Sequence, residues 1–121
     1  MSLIEINRTE QIATITMNRP EARNALSRAL CAEFRTALAE LANDATLRVL
    51  IVAGTRASNA FCAGADLVER TKLNADERVE HLNGIVGVCE ELAAFQSMIC
   101  WTCSILTMTI LTRQTRNPLA V

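Results

Sequence analysis

Aromatic residues, glycine, proline and histidine are all scarce in this chain of 121 residues. It has three phenylalanines, one tryptophan and no tyrosine, with four glycines, two prolines and one histidine, while 50% of its residues are apolar. Aliphatic side chains and alanine must therefore fill the interior, which favours helices packed on a sheet. A chain of this length forms one domain at most, but it is long enough to bury a real core.

An excess of one charge sign is also missing. The chain has 12 basic and 13 acidic residues, for a formal net charge of −1, and no basic run is interleaved with aromatic residues. Such a surface has no field that would attract a polyanion, so we expect no nucleic acid partner. No apolar run is long enough to span a bilayer, so we expect no membrane partner either.

The first residues lack the features of a targeting signal. The segment Met1–Ile6 has no basic region followed by an apolar stretch, and it is not rich in arginine. Secretory signals and organelle transit peptides have those features. We therefore expect a cytoplasmic protein, or a mitochondrial matrix protein whose presequence has been removed.

Five cysteines, an odd number without secretory context, predict reduced thiols rather than a disulfide framework. Cys31 and Cys89 fall on the apolar faces of helical patterns, where small thiols are commonly buried. Cys100 and Cys103 have the C-x-x-C spacing of a redox pair or of half a zinc site. No second pair exists and His81 is the only histidine, so the sequence predicts no metal site.

Short β-branched runs predict three strands. Leu3–Ile6 and Ile12–Met17 alternate with period two and predict a hairpin, which Pro20 follows. Arg48–Ala53 is apolar on both faces, which is typical of a parallel strand. Residues 105–111 are uncharged and β-prone, and they could supply a replacement strand further along the chain.

Three helices follow from the spacing of apolar residues and from capping signals. The first is predicted over residues 27–41, a second over residues 66–72, and Asn74 is the predicted N-cap of a third. The apolar face of the first helix contains Leu30, Phe34, Ala37, Leu38 and Leu41. The apolar face of the third is predicted to contain Val79, Leu82, Val86, Cys89 and Ala93.

The segment Phe61–Leu67, with the sequence FCAGADL, is the first candidate for chemistry. It follows the buried-strand pattern of Val49–Gly54 and leads into a predicted helix. A turn of small residues at a helix start leaves backbone N–H groups unpaired, which suits an anion or an oxyanion. Taken alone the turn is weak evidence, because many α/β connections have this form.

A second turn of the same kind precedes it. The segment Asn18–Leu26, with the sequence NRPEARNAL, again passes from a strand end into a helix. This pair of segments, separated by one amphipathic helix and one strand, resembles the crotonase superfamily of enoyl-CoA hydratases and isomerases. The resemblance covers about residues 3–95 and implies an α/β fold, the N-terminal portion of the crotonase-like ββα spiral, followed by a divergent C-terminal tail.

The resemblance implies an activity on acyl-CoA thioesters. Enzymes of this family stabilise an enolate-like anion on the thioester oxygen with two backbone N–H groups, and by resemblance the first donor is the N–H of Ala65. The enoyl-CoA hydratases among them add water to 2-enoyl-CoA in fatty acid or amino acid breakdown. No cofactor is implied, since coenzyme A is part of the substrate, and a homo-oligomer, a trimer or hexamer, is expected. The positions that match the family's CoA contacts are Arg23, Ala25, Leu26, Ala63, Asp66 and Leu67.

The rest of the family's machinery has no counterpart in the printed sequence. The second donor comes from a glycine-rich loop and hydration uses two glutamates, but no glycine follows Gly87 and no acidic residue follows Glu91. We therefore predict a partial crotonase-like domain over residues 3–95 and a divergent, unassigned tail over residues 96–121, produced by truncation, a shifted reading frame or alternative splicing.

Two functions follow as hypotheses. The first is an enoyl-CoA hydratase-like protein that is inactive as this chain, and the alternative is a non-catalytic acyl-CoA-binding or subunit-interacting fragment. Substitution of the missing carboxylates by Glu69, Glu90 or Glu91 is left open, as are the acyl chain specificity and the choice between hydratase, isomerase and hydrolase.

Overall fold

The computed structural model describes residues 2–95, 98–103 and 107–111, the last two ranges as backbone only. Five strands form one sheet in the order in which they occur in the chain. The first pair is antiparallel, the second and third pairs are parallel, and the last is antiparallel. The strands are β1 Ile4–Thr9, β2 Ile12–Met17, β3 Val49–Gly54, β4 Met98–Cys103 and β5 Thr107–Leu111.

The predicted hairpin and the predicted parallel strand are both confirmed. Ile4 lies opposite Met17 in the antiparallel pair of β1 and β2, and β3 runs parallel to β2 with Met17 opposite Gly54. Alternate residues of β2, namely Ala13, Ile15 and Met17, are buried, because successive side chains of a strand point to opposite faces of the sheet.

Helix α1, Arg28–Ala42, begins at Ser27, whose hydroxyl accepts the N–H of Leu30 at 3.1 Å. This bond satisfies one of the free donors of the first turn. The predicted apolar face is confirmed, since all five of its residues are buried in the core. The helix therefore covers one face of the sheet.

Helix α3, Ala75–Ala94, begins at Asn74 as predicted, and a reciprocal capping box with Glu77 closes its first turn. Its predicted apolar face is wrong: the buried residues are His81, Gly87, Val88 and Leu92, whereas Val79, Leu82, Val86 and Cys89 are exposed.

Two glycines lie on the face of α3 that packs against α1. A Cβ built at Gly84 would lie 3.4 Å from the Cys31 Cβ, and one at Gly87 would lie 2.7 Å from Arg35 Cζ. An alanine at position 84 would make an ordinary contact with Cys31, whereas the missing Cβ at Gly87 leaves room for the Arg35 guanidinium of α1. Both glycines therefore lie on the face of α3 that meets α1, beside the buried residues His81, Val88 and Leu92.

Helix α2 is shorter than predicted. It spans Leu67–Arg70, within the predicted range of residues 66–72, so the dipole behind the candidate turn is small. β5 lies within the replacement strand predicted over residues 105–111, of which residues 105 and 106 lie outside the described residues. β4 and β5 extend the same sheet. The proposed division between residues 95 and 96 stays a prediction.

No helix in the described part of the chain is long and apolar enough to cross a membrane.

Candidate functional site

The two sequence motifs meet at the carboxyl ends of β2 and β3. Met17 and Gly54 are paired where these parallel strands end, and the segments that follow each strand therefore leave the sheet side by side. Crevices at the carboxyl ends of parallel strands are the usual ligand sites of open α/β sheets.

Backbone hydrogen bonds join the two segments. The N–H of Leu26 donates to the carbonyl of Gly64 at 2.7 Å, and the Leu26 carbonyl accepts the N–H of Asp66 at 3.1 Å. Ala63 N–H donates to the Arg23 carbonyl at 3.0 Å. The fold thus brings all the predicted site residues onto one pair of adjacent segments: Arg23, Ala25, Leu26, Ala63, Ala65, Asp66 and Leu67.

The peptide unit between Gly64 and Ala65 is hydrogen-bonded through its carbonyl but not through its N–H among the described residues. Gly64 has φ +96°, a conformation that residues with a Cβ rarely adopt. Its carbonyl is fixed by Leu26, and the N–H of a trans peptide points away from the carbonyl of the same unit. Within the described residues, no acceptor receives the Ala65 N–H. This donor is consequently available to a ligand.

Asn24 is a buried side chain that joins the two segments, and it was not predicted as a site residue. It is completely buried and has φ 59°. Its Oδ1 accepts the Arg19 N–H at 2.8 Å and the Ser58 hydroxyl at 3.1 Å. Its Nδ2 donates to the carbonyls of Ala60 and Phe61 at 3.2 and 3.1 Å. A polar residue in a turn gave no signal for this role, because its partners Ser58, Ala60 and Phe61 lie 34 to 37 residues along the chain.

Asp66 is fully engaged inside the protein. Its Oδ1 accepts the Glu69 N–H at 3.0 Å, capping α2, and its Oδ2 lies 2.7 Å from Arg19 Nη1. Burial raises the pKa of this carboxyl, but the Glu69 N–H and the Arg19 guanidinium lower it further, so the net pKa lies below its usual range. The carboxylate orients Arg19, which also donates to the Ala25 carbonyl at 2.9 Å.

The remaining predicted contacts differ in their exposure. Arg23 is exposed and has φ 52°, and its guanidinium has no hydrogen bond or ion pair among the described residues. Leu67 is 68% exposed and Ala63 is exposed. Leu26 packs against the hydrophobic core, and Ala25 is buried. Among the predicted contact residues, Arg23 is thus the basic residue without a described partner, and Leu67 is the large apolar side chain that is exposed.

The carboxylates considered as substitutes for the family's glutamates lie in different surroundings. Glu69 accepts the backbone N–H of Arg28 at 3.0 Å and its guanidinium at 3.3 Å. Glu91 is paired with Arg35 at 2.9 Å, and Glu90 is exposed. Glu69 therefore caps α1, and Glu91 joins α3 to α1.

The described cysteines are free thiols. Burial raises the pKa of Cys31 to about 11 and also raises the pKa of Cys62, so neither is a reactive thiolate near neutral pH. Cys89 is free and exposed, and the side chains of Cys100 and Cys103 lie outside the described residues. No cluster of metal-ligating side chains occurs in the part of the chain that is described.

His81 is the second residue that sequence reasoning did not place at this site. It lies on α3 and is 1% exposed, and its Nε2 is 2.6 Å from the Leu26 carbonyl. A single histidine within an otherwise ordinary helical pattern gave no indication of this contact, which spans 55 residues of sequence.

Comparisons by sequence and by structure found known proteins that are similar to this chain. A model of the enoyl-CoA hydratase/isomerase family matches residues 7–86. Enoyl-CoA hydratase domain-containing protein 2, mitochondrial, of Bos taurus is 43% identical over 84 residues, which are 69% of this chain and 28% of the bovine protein. The chain thus spans less than a third of that relative's length.

Two solved structures share the fold. The enoyl-CoA hydratase of Bacillus anthracis superposes with a TM-score of 0.77 at 30% identity, covering 83% of this chain and 39% of that one. The enoyl-CoA hydratase of Mycobacterium smegmatis gives a TM-score of 0.76 at 30% identity, covering 84% and 39%. The expected crotonase-like α/β fold is confirmed, and the chain belongs to the enoyl-CoA hydratase/isomerase family.

Proposed function

We propose that this protein binds acyl-CoA thioesters and polarises the thioester carbonyl with the backbone N–H of Ala65, the first step required to hydrate a 2-enoyl-CoA. The observation that carries the proposal is the Gly64–Ala65 peptide, whose carbonyl is bound to Leu26 while its N–H has no acceptor among the described residues. A fixed donor aimed at a developing oxyanion is worth roughly 3 to 4 kcal/mol.

Turnover would require an acid and a base in addition to this donor. The acidic residues nearest to Ala65 in sequence are Asp66 and Glu69, and both are engaged by arginine and backbone partners. We therefore expect the chain of 121 residues to bind 2-enoyl-CoA without hydrating it. This favours the second hypothesis, a non-catalytic acyl-CoA-binding fragment, for the chain by itself.

An ester in place of the Ala65 amide tests the proposal without changing any side chain. Residues 62–121 can be synthesised with this single N–H replaced by oxygen and ligated at Cys62 to residues 1–61. We expect the carbonyl band of bound crotonyl-CoA to shift to lower frequency in the all-amide chain and to return to its position in water in the ester variant, because the donor has been removed.

The controls for this experiment separate binding from polarisation. Affinity for coenzyme A, measured by calorimetry, should be unchanged in the ester variant, since coenzyme A has no thioester. Absorbance of crotonyl-CoA should stay constant with either chain, whereas a decrease with the all-amide chain would identify a hydratase. A carbonyl band that shifts equally in both chains would refute the role of Ala65.

Arg23 is the proposed contact for a CoA phosphate. We expect Arg23→Gln to weaken crotonyl-CoA binding about fivefold, because one exposed charge-assisted contact is worth roughly 1 kcal/mol. The loss should be absent with crotonyl-pantetheine, which has no phosphate. Arg78→Gln is the matched control, since Arg78 is also exposed; an equal loss in both variants would indicate a general charge effect.

We also propose that the chain self-associates, as the resemblance implies. Five large apolar side chains on α2 and α3 are exposed by 43 to 70%: Leu67, Val68, Val79, Leu82 and Val86. Covering such a surface is favourable at about 25 cal/mol per Å². Sedimentation velocity should show trimers or larger species, and a monomer at all concentrations would refute this. The cytoplasm or the mitochondrial matrix stays the predicted compartment.

A further inference from the structure

We infer that His81 is a positioning residue for the Ala65 N–H, acting from α3 through the backbone of Leu26. The effect of His81 on a bound thioester rests on the proposed function, whereas its hydrogen bond to Leu26 concerns the unliganded chain. The only titratable ring in the sequence is thereby assigned to the turn that carries the candidate oxyanion donor.

The geometry forms a continuous chain of hydrogen bonds. His81 Nε2 lies 2.6 Å from the Leu26 carbonyl, and because a carbonyl can only accept, Nε2 carries the hydrogen. The same carbonyl accepts the N–H of Asp66, and the Leu26 N–H donates to Gly64. His81 is therefore bonded to Leu26, which contacts the turn on both sides of Ala65.

The unpaired nitrogen of His81 argues against a merely space-filling role. The ring is 1% exposed, and within the described residues its Nδ1 has no hydrogen-bond partner. An apolar side chain would fill the same volume without burying an unpaired polar atom, which is unfavourable. The bond to Leu26 is the polar contact that a histidine makes here and that an apolar residue would lack.

His81 lies on helix α3 and Leu26 lies in a loop, so the bond between them connects a loop to a helix. The contacts between Leu26 and Gly64–Asp66 join two loops, and loops shift more readily than helices. His81 ties this pair to α3, whose glycines pack closely against α1. Loss of the bond should thus let the Gly64–Ala65 peptide change direction without unfolding the sheet.

Two substitutions of His81 by side chains of similar length, Gln and Met, test this in the unliganded chain. The Gln side chain can place an N–H donor close to the position of the histidine Nε2, while Met has no donor. We expect His81→Met to accelerate amide hydrogen exchange at Leu26 and Asp66 about tenfold, the effect of one lost hydrogen bond, and His81→Gln to stay within about threefold of the original chain. Exchange at Ile15 and Val52 in the sheet should be unchanged in both.

The outcomes of the exchange experiment are distinct. Rates at Leu26 and Asp66 that are unchanged by His81→Met, or equally raised by Met and Gln, would overturn the inference. If His81→Met does not fold, the nitrogen spectrum of the imidazole in the unaltered chain decides: a proton on Nε2 coupled to the Leu26 carbonyl supports the inference, and a proton on Nδ1 overturns it.

A ligand experiment then separates this inference from the proposed function. The infrared carbonyl band of bound crotonyl-CoA should shift less in His81→Met than in the original chain and recover in His81→Gln, with coenzyme A affinity within about threefold throughout. No binding or no band shift in the original chain would refute the proposed function, and the exchange results would still stand. A full shift in His81→Met would refute the role of His81 alone.

Discussion

Gly54→Ala is expected to lower the free energy of unfolding by about 4 kcal/mol, a large part of the total of a small domain. Gly54 is the last residue of β3, beside the two motif segments. An added Cβ would lie 2.4 Å from the Ala60 carbonyl oxygen, 2.7 Å from Asn24 Nδ2 and 3.1 Å from the Phe61 carbonyl oxygen. Two of these atoms are main chain, so a rotamer change cannot relieve the clash.

The damage should concentrate on the candidate site. Displacing the Ala60 and Phe61 carbonyls breaks the hydrogen bonds that Asn24 donates to them, and those bonds hold the segment leading to Ala65. A Gly54→Ala chain that remains folded in part should therefore lose crotonyl-CoA binding as well as stability.

The matched control is the same substitution at Gly84. There the added Cβ would lie 3.4 Å from Cys31 Cβ, an ordinary contact, and the position is inside α3. Alanine should raise the free energy of unfolding by about 1 kcal/mol because it favours the helix over glycine. Urea unfolding followed by circular dichroism measures both variants, and an equal change in the two would contradict the steric argument.

The sequence pattern predicted the elements that depend on local residue order. The alternation in β2, the apolar stripe of α1 and the N-cap Asn74 each involve neighbours within a few positions, so periodicity and capping rules apply directly. The buried face of α3 failed for the opposite reason. It depends on which residues of α3 meet α1, where Gly84 lies beside Cys31 and Gly87 beside Arg35. The hydrophobicity of Val79 or Leu82 does not indicate these contacts.

The sequence indicated the backbone turn of the candidate site, but not the side chains that hold this turn in place. The small residues around Gly64 indicated a turn with free N–H groups, because that conformation depends on local sequence. Asn24 and His81 were missed because their partners lie up to 37 and 55 residues away. A buried polar side chain whose bonds cross between segments leaves no periodic trace in the sequence, and only the packed structure brings its donors and acceptors together.

Asn24→Asp should have the second large effect, about 3 kcal/mol of lost stability near neutral pH. The change preserves size and keeps the acceptor for Arg19 N–H and Ser58, and aspartate tolerates φ 59° as asparagine does. It removes the N–H donors to Ala60 and Phe61 and places a buried carboxylate against two carbonyl oxygens. Each unsatisfied acceptor costs roughly 1 to 3 kcal/mol.

The pH dependence of this loss identifies its cause. Burial and the facing carbonyls should raise the pKa of the new carboxyl in the folded state above its unfolded value of about 3.9. The folded state then holds its proton more tightly, so the stability deficit grows as pH rises from about 4 through the raised pKa. Below about pH 4 the protonated carboxyl donates to one carbonyl, and the deficit should be smallest.

Asn83→Asp is the control, because Asn83 is exposed on α3 and the same chemical change there should cost less than about 0.5 kcal/mol at any pH. Urea unfolding of the original chain and both variants between about pH 4 and pH 8 gives the deficits by difference, which cancels the titration of Asp66 and other shared groups. A deficit for Asn24→Asp that does not vary with pH would contradict the expected burial of the new carboxylate against the Ala60 and Phe61 carbonyls. A deficit no larger than that of Asn83→Asp would mean that Asn24 is not a polar link between the two segments around Ala65.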